Sequence, residues 1–308
     1  MRSPSAFAAG MLLLAGCGAV MPAGECAEVA SSRDRGPSRA ALTWAPPRLH
    51  NPTTVHVTND NRNLRLDKRR DYILKMPATP LTADGGLVIY GGRNVVLIGG
   101  EIRFDAPRDK KQSALSRRGV YVKAGTGTVH IEGLLVTGAH AAEGFNIDMR
   151  EENAILQLQN IRVETLQGTR AGHHADVIQT WAGPRELRVD RLTGESTYQG
   201  MFLHPNQHFK GPAPRLFDFR RVNIRAGAYG LWQASRFPIR TEDVWVDPPA
   251  RRPWPSHVLW PKVPMSESAW KDVRKGAPPG GDFVPAGVAG IGYVSPGYLP
   301  AREPGGRS

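Results

Sequence analysis

The chain has 308 residues, 40% of them apolar and 22% charged, enough to bury a sizeable core in one domain, although length alone leaves room for two. Its only cysteines, Cys17 and Cys26, lie in or just after an N-terminal apolar stretch. This excludes a disulfide framework and a Cys-based metal site in the folded part. The formal net charge of +12 favours an anionic glycan, an anionic membrane surface or nucleic acid as partner, while an Arg-rich solvated surface gives the same count.

In chain order, residues 1–27 read as an export signal: Arg2 supplies the positive region, and Ala6 to Gly16 forms an apolar stretch too short to span a bilayer. Leu14-Ala15-Gly16-Cys17 resembles a bacterial lipobox, with Cys17 as the lipid-attachment residue; an ordinary cleavage signal, cutting after Ala19 for example, is the alternative. The mature protein is therefore expected to be exported, either as a membrane-anchored lipoprotein or secreted or periplasmic. Export argues against nucleic acid as the usual partner and leaves the membrane in contact only through a lipid. Residues 28–63 form a tether and lead-in, rich in Ser, Arg and Pro between Ser31 and Pro47.

From residue 64 to 247 one pattern returns six times: a short strand, a turn, a second strand, and a corner rich in Asn, Gly, Asp or Arg. The first strands are Leu87 to Tyr90, Val120 to Lys123, Phe145 to Asp148, Asp176 to Gln179, Met201 to His204 and Gly230 to Gln233, beginning 25 to 33 residues apart. Second strands follow at Val95 to Ile102, Val129 to Leu134, Ile155 to Ile161, Leu187 to Leu192, Leu216 to Val222 and Ile239 to Val244. The alternation has a spacing of two and no room for a crossover helix, which sets aside a βαβ array and fits an all-β solenoid. Leu64 to Met76 is expected to cover one end of it. The Pro- and Trp-rich segment 248–308, with a short helix at Glu267 to Arg274, is expected to cap the other.

The opening run Gly85-Gly86-Leu87-Val88-Ile89-Tyr90-Gly91-Gly92-Arg93-Asn94-Val95, with the five coils after it, resembles the pectin-lyase-like right-handed parallel β-helix proteins. The resemblance implies a single-stranded right-handed parallel β-helix of about six coils with terminal caps, and a polysaccharide lying along the first sheet. It does not specify the reaction.

Alternation then chooses the exposed side chains. With Ile89, Val122, Ile147, Ile178, Leu203 and Trp232 inward, Tyr90, Lys123, Asp148, Gln179, His204 and Gln233 form one outward polar column, beside a second of Val88, Tyr121, Asn146, Val177, Phe202 and Leu231. Such columns, joined by Gln207 and Lys210, offer aromatic faces and hydrogen-bonding groups to a sugar chain, although outward strand residues are also polar simply because water touches them. Titratable groups concentrate in Arg170 to Trp181 and Tyr198 to His208. His174, Asp176, His204, Tyr198 and Arg170 are the catalytic candidates, with histidine as a base near neutral pH and a carboxylate to orient it. Asp176 also suits a buried turn-capping role.

Elimination from a uronate needs a cation on its carboxylate and a base at the neighbouring carbon. Lys123, Arg170 or Lys210 can supply the first, and His174, His204 or Tyr198 the second. Calcium would have Asp148 with Glu151 and Glu152, a thin set, and no metal site has a zinc-type spacing. A hydrolase would have to pair Asp148 with Asp176. The Asn-Thr-Asp and Gly-His-Gly signatures of polygalacturonases and the Trp-Ile-Asp-His motif of common pectate lyases are absent. The expected protein is a monomer acting on an acidic polysaccharide by β-elimination. The alternatives are a glycoside hydrolase or epimerase of the same fold, and a non-catalytic glycan-binding or cell-envelope structural protein.

Overall fold

The computed structural model describes residues 42–107, 117–208 and 211–297. Cys17, Lys210, the export signal and most of the tether lie outside the described residues.

The described chain is all-β, with two long sheets in which every strand pair is parallel. Successive strands alternate between the sheets. The eight-stranded sheet takes β2 (Asn63–Leu66), β4 (Leu87–Gly91), β7 (Arg118–Lys123), β10 (Glu143–Asp148), β12 (Asp176–Ala182), β14 (Gln199–Leu203), β16 (Leu231–Gln233) and β18 (Leu259–Trp260), in that spatial order. The eleven-stranded sheet runs through β1 (Thr53–His56), β3 (Tyr72–Lys75), β5 (Val95–Ile98), β8 (Thr128–Glu132), β11 (Ile155–Leu166), β13 (Glu186–Ser196), β15 (Leu216–Ala226), β17 (Ile239–Asp247) and β19 (Arg274–Lys275), with β6 (Glu101–Arg103) and β9 (Leu135–Thr137) alongside. Each circuit of the chain thus adds one strand to each sheet, a solenoid-like arrangement compatible with a parallel β-helix.

The alternation that marks strands in the sequence also builds the core. Val120, Phe145, Ile178, Met201 and Leu231 stack in register, as do Leu97, Ile131, Leu158, Val189 and Phe219 in the facing sheet; all are 0 or 1% exposed. In the long strands the corner falls at one stacked position. Asn160, Arg191, Arg221 and Asp243 each take a left-handed backbone, with φ of 54°, 51°, 48° and 56°. A bend at the same level in every coil keeps the apolar residues after it, Ile161, Leu192, Val222 and Val244, in one inward column. Side chains pay a steric cost in that conformation, so the stacked pairing on either side must hold it.

The sheets extend beyond the recognised repeat. The segment expected to lie across the first coil supplies two paired strands instead: β2 pairs with β4, and β3 with β5. At the other end Leu259–Trp260 continues the eight-stranded sheet and Arg274–Lys275 the eleven-stranded one. The helix expected at Glu267 to Arg274 is replaced by a single 3-10 turn, Met265–Glu267, with Trp270 buried behind it. Prolines at 261 and 264 and the buried Trp270, whose Nε1 donates to the Trp260 carbonyl at 2.9 Å, hold this stretch in turns.

The outer face of the eleven-stranded sheet carries buried polar residues, and two terminal segments cover it. Gln159 accepts from the Thr43 and Trp44 amides and donates to the Trp44 carbonyl, while Glu132 accepts from Tyr293 Oη at 2.5 Å and Ser295 Oγ at 3.0 Å. Thr193, Asn223 and Arg162 bind residues 282–284. This face is therefore occupied by the chain itself.

Candidate functional site on the eight-stranded sheet

Among the described residues no terminal segment covers the eight-stranded sheet in the same way, and its registers define the outward rows. Val88 pairs with Tyr121, Tyr121 with Asn146, Asn146 with Gln179, Gln179 with Phe202, Phe202 with Trp232 and Trp232 with Trp260. Between the partly exposed aromatics of this row lie two amides, joined by a hydrogen bond from Asn146 Nδ2 to Gln179 Oε1 at 3.2 Å. The Phe202 and Trp232 centroids are 5.5 Å apart, and Trp232 stacks on Trp260 at 4.7 Å with 21° between planes.

This row corrects the expected columns. Gln179 belongs with Asn146 and Phe202, two residues away from the register expected for it; further along, β10 and β12 shift register at Asp148, which pairs with Ala182 and leaves Trp181 as an extra residue. Trp232 lies in the outward row. Gln233 is the inward residue: it pairs with Leu203, is 7% exposed and donates to the Phe237 carbonyl at 2.9 Å, so it is not part of the outward surface. Val177 and Leu231, expected outward, are buried.

Tyr90, Lys123 and Asp148 do form an adjacent row. Tyr90 is its most exposed member, and Lys123 Nζ sits 4.8 Å from the Tyr121 ring centroid. Asp148 is 5% exposed and gripped bidentately by Arg150 at 2.7 and 2.9 Å, so its carboxylate is already satisfied. Burial, with the nearby Asp148 charge second, pushes the Tyr121 hydroxyl up to about 12, so it is a neutral hydrogen-bonding group at any ordinary pH.

The expected catalytic group divides into two places. At the start of β12, Asp176 is paired in register with Gln199 and is 1% exposed. The His174 and Tyr198 rings lie 4.8 Å apart, and burial first raises the Tyr198 hydroxyl above its ordinary value, with Arg170 near enough to oppose it. At the far ends of the same strands, His204 follows Leu203, the partner of Thr180, and lies among Phe202, Trp181 and His208; the Trp181 and His208 centroids are 5.4 Å apart. Gln207 bonds from its amide to the His204 carbonyl in the turn beyond. At about 3.3 Å per strand residue, roughly 15 Å separates the levels of Asp176 and His204, so they do not act on one atom. The same spacing removes the pair required for hydrolysis: Asp148 lies level with Ala182, six residues past Asp176.

Around Asp176 the structure gathers residues that no motif marked. Arg118 Nε binds Glu143 at 2.8 Å, both side chains are buried, and the Arg118 guanidinium lies 4.7 Å from the Tyr121 ring centroid and 4.6 Å from that of Trp181. Glu143 sits two residues before the Phe145–Ile178 pair and so beside Asp176. Burial first, and the Glu143 charge second, hold the Asp176 carboxyl well above its ordinary range, which keeps it protonated. Arg118 Nη2, Asn146 Oδ1, both Asp176 oxygens, Gln199 Oε1 and Trp181 Nε1 are buried without a hydrogen-bond partner. Unsatisfied buried polar atoms are costly and rare, and those of Arg118, Asp176 and Gln199 lie at one level of neighbouring strands. Arg118 and Glu143 open their strands beyond the apolar blocks that announced them, which is why alternation alone did not mark them.

His204 is held below its usual range by burial first and by the charge of His208 second, so its imidazole is neutral at pH 7. The carboxylates suggested for calcium do not fit that role. Asp148 is bound by Arg150, Glu151 by Lys68 at 2.6 Å and Glu152 by Arg185 at 3.3 Å. Among the described residues no group of three or more His, Cys, Asp or Glu side chains is placed to hold a metal ion.

No protein-family model, no curated protein and no solved structure matches the chain.

Proposed function

We propose that the protein is an exported right-handed parallel β-helix of the pectin-lyase-like kind, anchored through Cys17 or released, and that its eight-stranded sheet binds an acidic polysaccharide and cleaves it by β-elimination. The row Tyr121, Asn146, Gln179, Phe202, Trp232 and Trp260 carries this reading. It sets the partly exposed Gln179 amide, for hydroxyls, between aromatic faces for C–H surfaces, at the strand spacing of about 4.8 Å, and the net charge of +12 suits an acidic chain.

In this reading the neutral imidazole of His204 takes the proton next to the uronate carboxyl group. The electron pair left behind forms the carbon–carbon double bond as the glycosidic oxygen departs and takes a proton from water, while Lys123, three strands and about 14 Å away, holds the carboxylate of another unit of the chain. His174 and Arg170, both exposed at the opposite ends of the strands, hold the chain there, with Tyr198 and the buried Asp176 behind them.

The test is incubation with a panel of polyuronates while following ultraviolet absorbance of the unsaturated product. A rise that His204→Gln abolishes, with glycan affinity retained, supports the proposal. New reducing ends without that absorbance would assign hydrolysis, and binding without any cleavage would leave a glycan-binding protein.

A further inference from the structure

The outward row does not end at open solvent. Beyond Trp260 lies a cleft of about 810 Å³ between the turn after β16 and the segment that carries the 3-10 turn, lined among others by Arg236, Arg240, Trp260, Glu267, Lys271 and Asp272. A volume of that size is typical of a site for an organic ligand of several rings. One wall is Trp260, the last member of the outward row, and Lys262 Nζ stands 6.0 Å from its ring centroid.

We propose that this cleft is a terminal binding site for the same acidic glycan, holding the sugar units that extend past Trp260 and making affinity depend on chain length. The inference rests on the glycan reading above. Three observations carry it. Phe202, Trp232 and Trp260 run without a gap to the mouth of the cleft, so a chain lying on them is led into it. Arg236, Arg240 and Lys271 outnumber Glu267 and Asp272 on its walls, and Lys262 adds a fourth cation at the entrance. Arg240 is tied to Glu242 at 3.2 Å, which leaves Arg236 and Lys271 as the exposed cations facing a uronate carboxylate. The acidic pair beside them accepts hydrogen bonds from sugar hydroxyls, so the wall suits a polyhydroxylated anion better than a small inorganic one.

The experiment measures, by calorimetry on the full mature chain, the affinity of short and long oligomers of whichever uronate the wild type binds most tightly, inactivated by His204→Gln so that nothing is cut. The long oligomer is expected to bind roughly tenfold tighter than the trimer. The double variant Arg236→Ala/Lys271→Ala, both at exposed positions, removes that gain while leaving trimer affinity unchanged, with a folded-state check by circular dichroism. Length-independent affinity, or a double variant that weakens trimer and long oligomer equally or neither, overturns the cleft. Failure of every uronate to bind overturns the glycan reading itself and the cleft with it.

Discussion

At the scale of the residue, Asp176 shows how burial sets chemistry. A carboxyl raised above its unfolded value contributes stability at low pH, below the unfolded value near 3.8, and loses it as pH climbs toward its folded value. Unfolding free energy of the wild type is therefore expected to fall as pH rises from 4 to 7. The limiting slope is about 1.4 kcal/mol per unit. Asp176→Asn flattens the dependence, which denaturant titrations at several pH values would reveal; parallel wild-type and variant curves would show that Asp176 does not titrate in this way. His204 is shifted the other way. If it is the base, cleavage is lost only as pH falls through a value below the usual 6.5, and a rate profile whose acid limb lies above that value would remove His204 from the role.

At the scale of the element, the strap over the eleven-stranded sheet is held by few, deeply buried contacts. Tyr293 donates to Glu132 and accepts from Asn160 Nδ2 at 2.7 Å, and burial raises its hydroxyl far above the ordinary range, so it stays protonated and keeps donating. Tyr293→Phe leaves both partners short of a bond and is expected to cost about 1–3 kcal/mol, read as a lower denaturant midpoint with unchanged m-value. An unchanged midpoint would mean that Ser295 and His130 satisfy Glu132 without it. Gly133 belongs to the same contact: its φ is 67°, and a methyl there would fall 2.0 Å from the Tyr293 ring, so Gly133→Ala must displace the strap.

The residues themselves show which parts of this organisation alternation could reveal. Val122, between Tyr121 and Lys123, and Ile147, between Asn146 and Asp148, were legible as inward because residues with polar groups flank each along its strand. Trp232 was not, because Leu231 beside it is also apolar, and either reading buries a large side chain. Gln179 was displaced by two residues, a slip that leaves in and out unchanged and so is invisible to alternation. The pairing of Gln179 with Asn146, and the extra residue at Trp181 beyond it, are apparent only in the register.

At the scale of the whole molecule, opposite faces have opposite fates: one polar face is sealed by the chain's own termini, the other is left open beside an aromatic row. With a net charge of +12, binding of an acidic glycan is expected to weaken steadily as salt rises from 0.05 to 0.5 M, since the screening length shrinks below about 10 Å over that range. Salt-independent affinity would instead mark a neutral sugar chain held by the amides and aromatics alone.

By itself, the sequence determined the all-β class, the recurring two-strand unit, the absence of crossover helices and the regions that gather titratable groups, because these follow from local periodicity and composition. Only the tertiary structure decided the coil-to-coil register that sets Gln179 beside Asn146 and Phe202 and turns Trp232 to the open face. It also brought Arg118 and Glu143 to Asp176, parted Asp176 from His204, and turned Leu64 to Met76 from a cover into strands. Each of these depends on pairing between residues some 23 to 34 positions apart, and a pattern that repeats every two residues carries no information about which repeat it will meet.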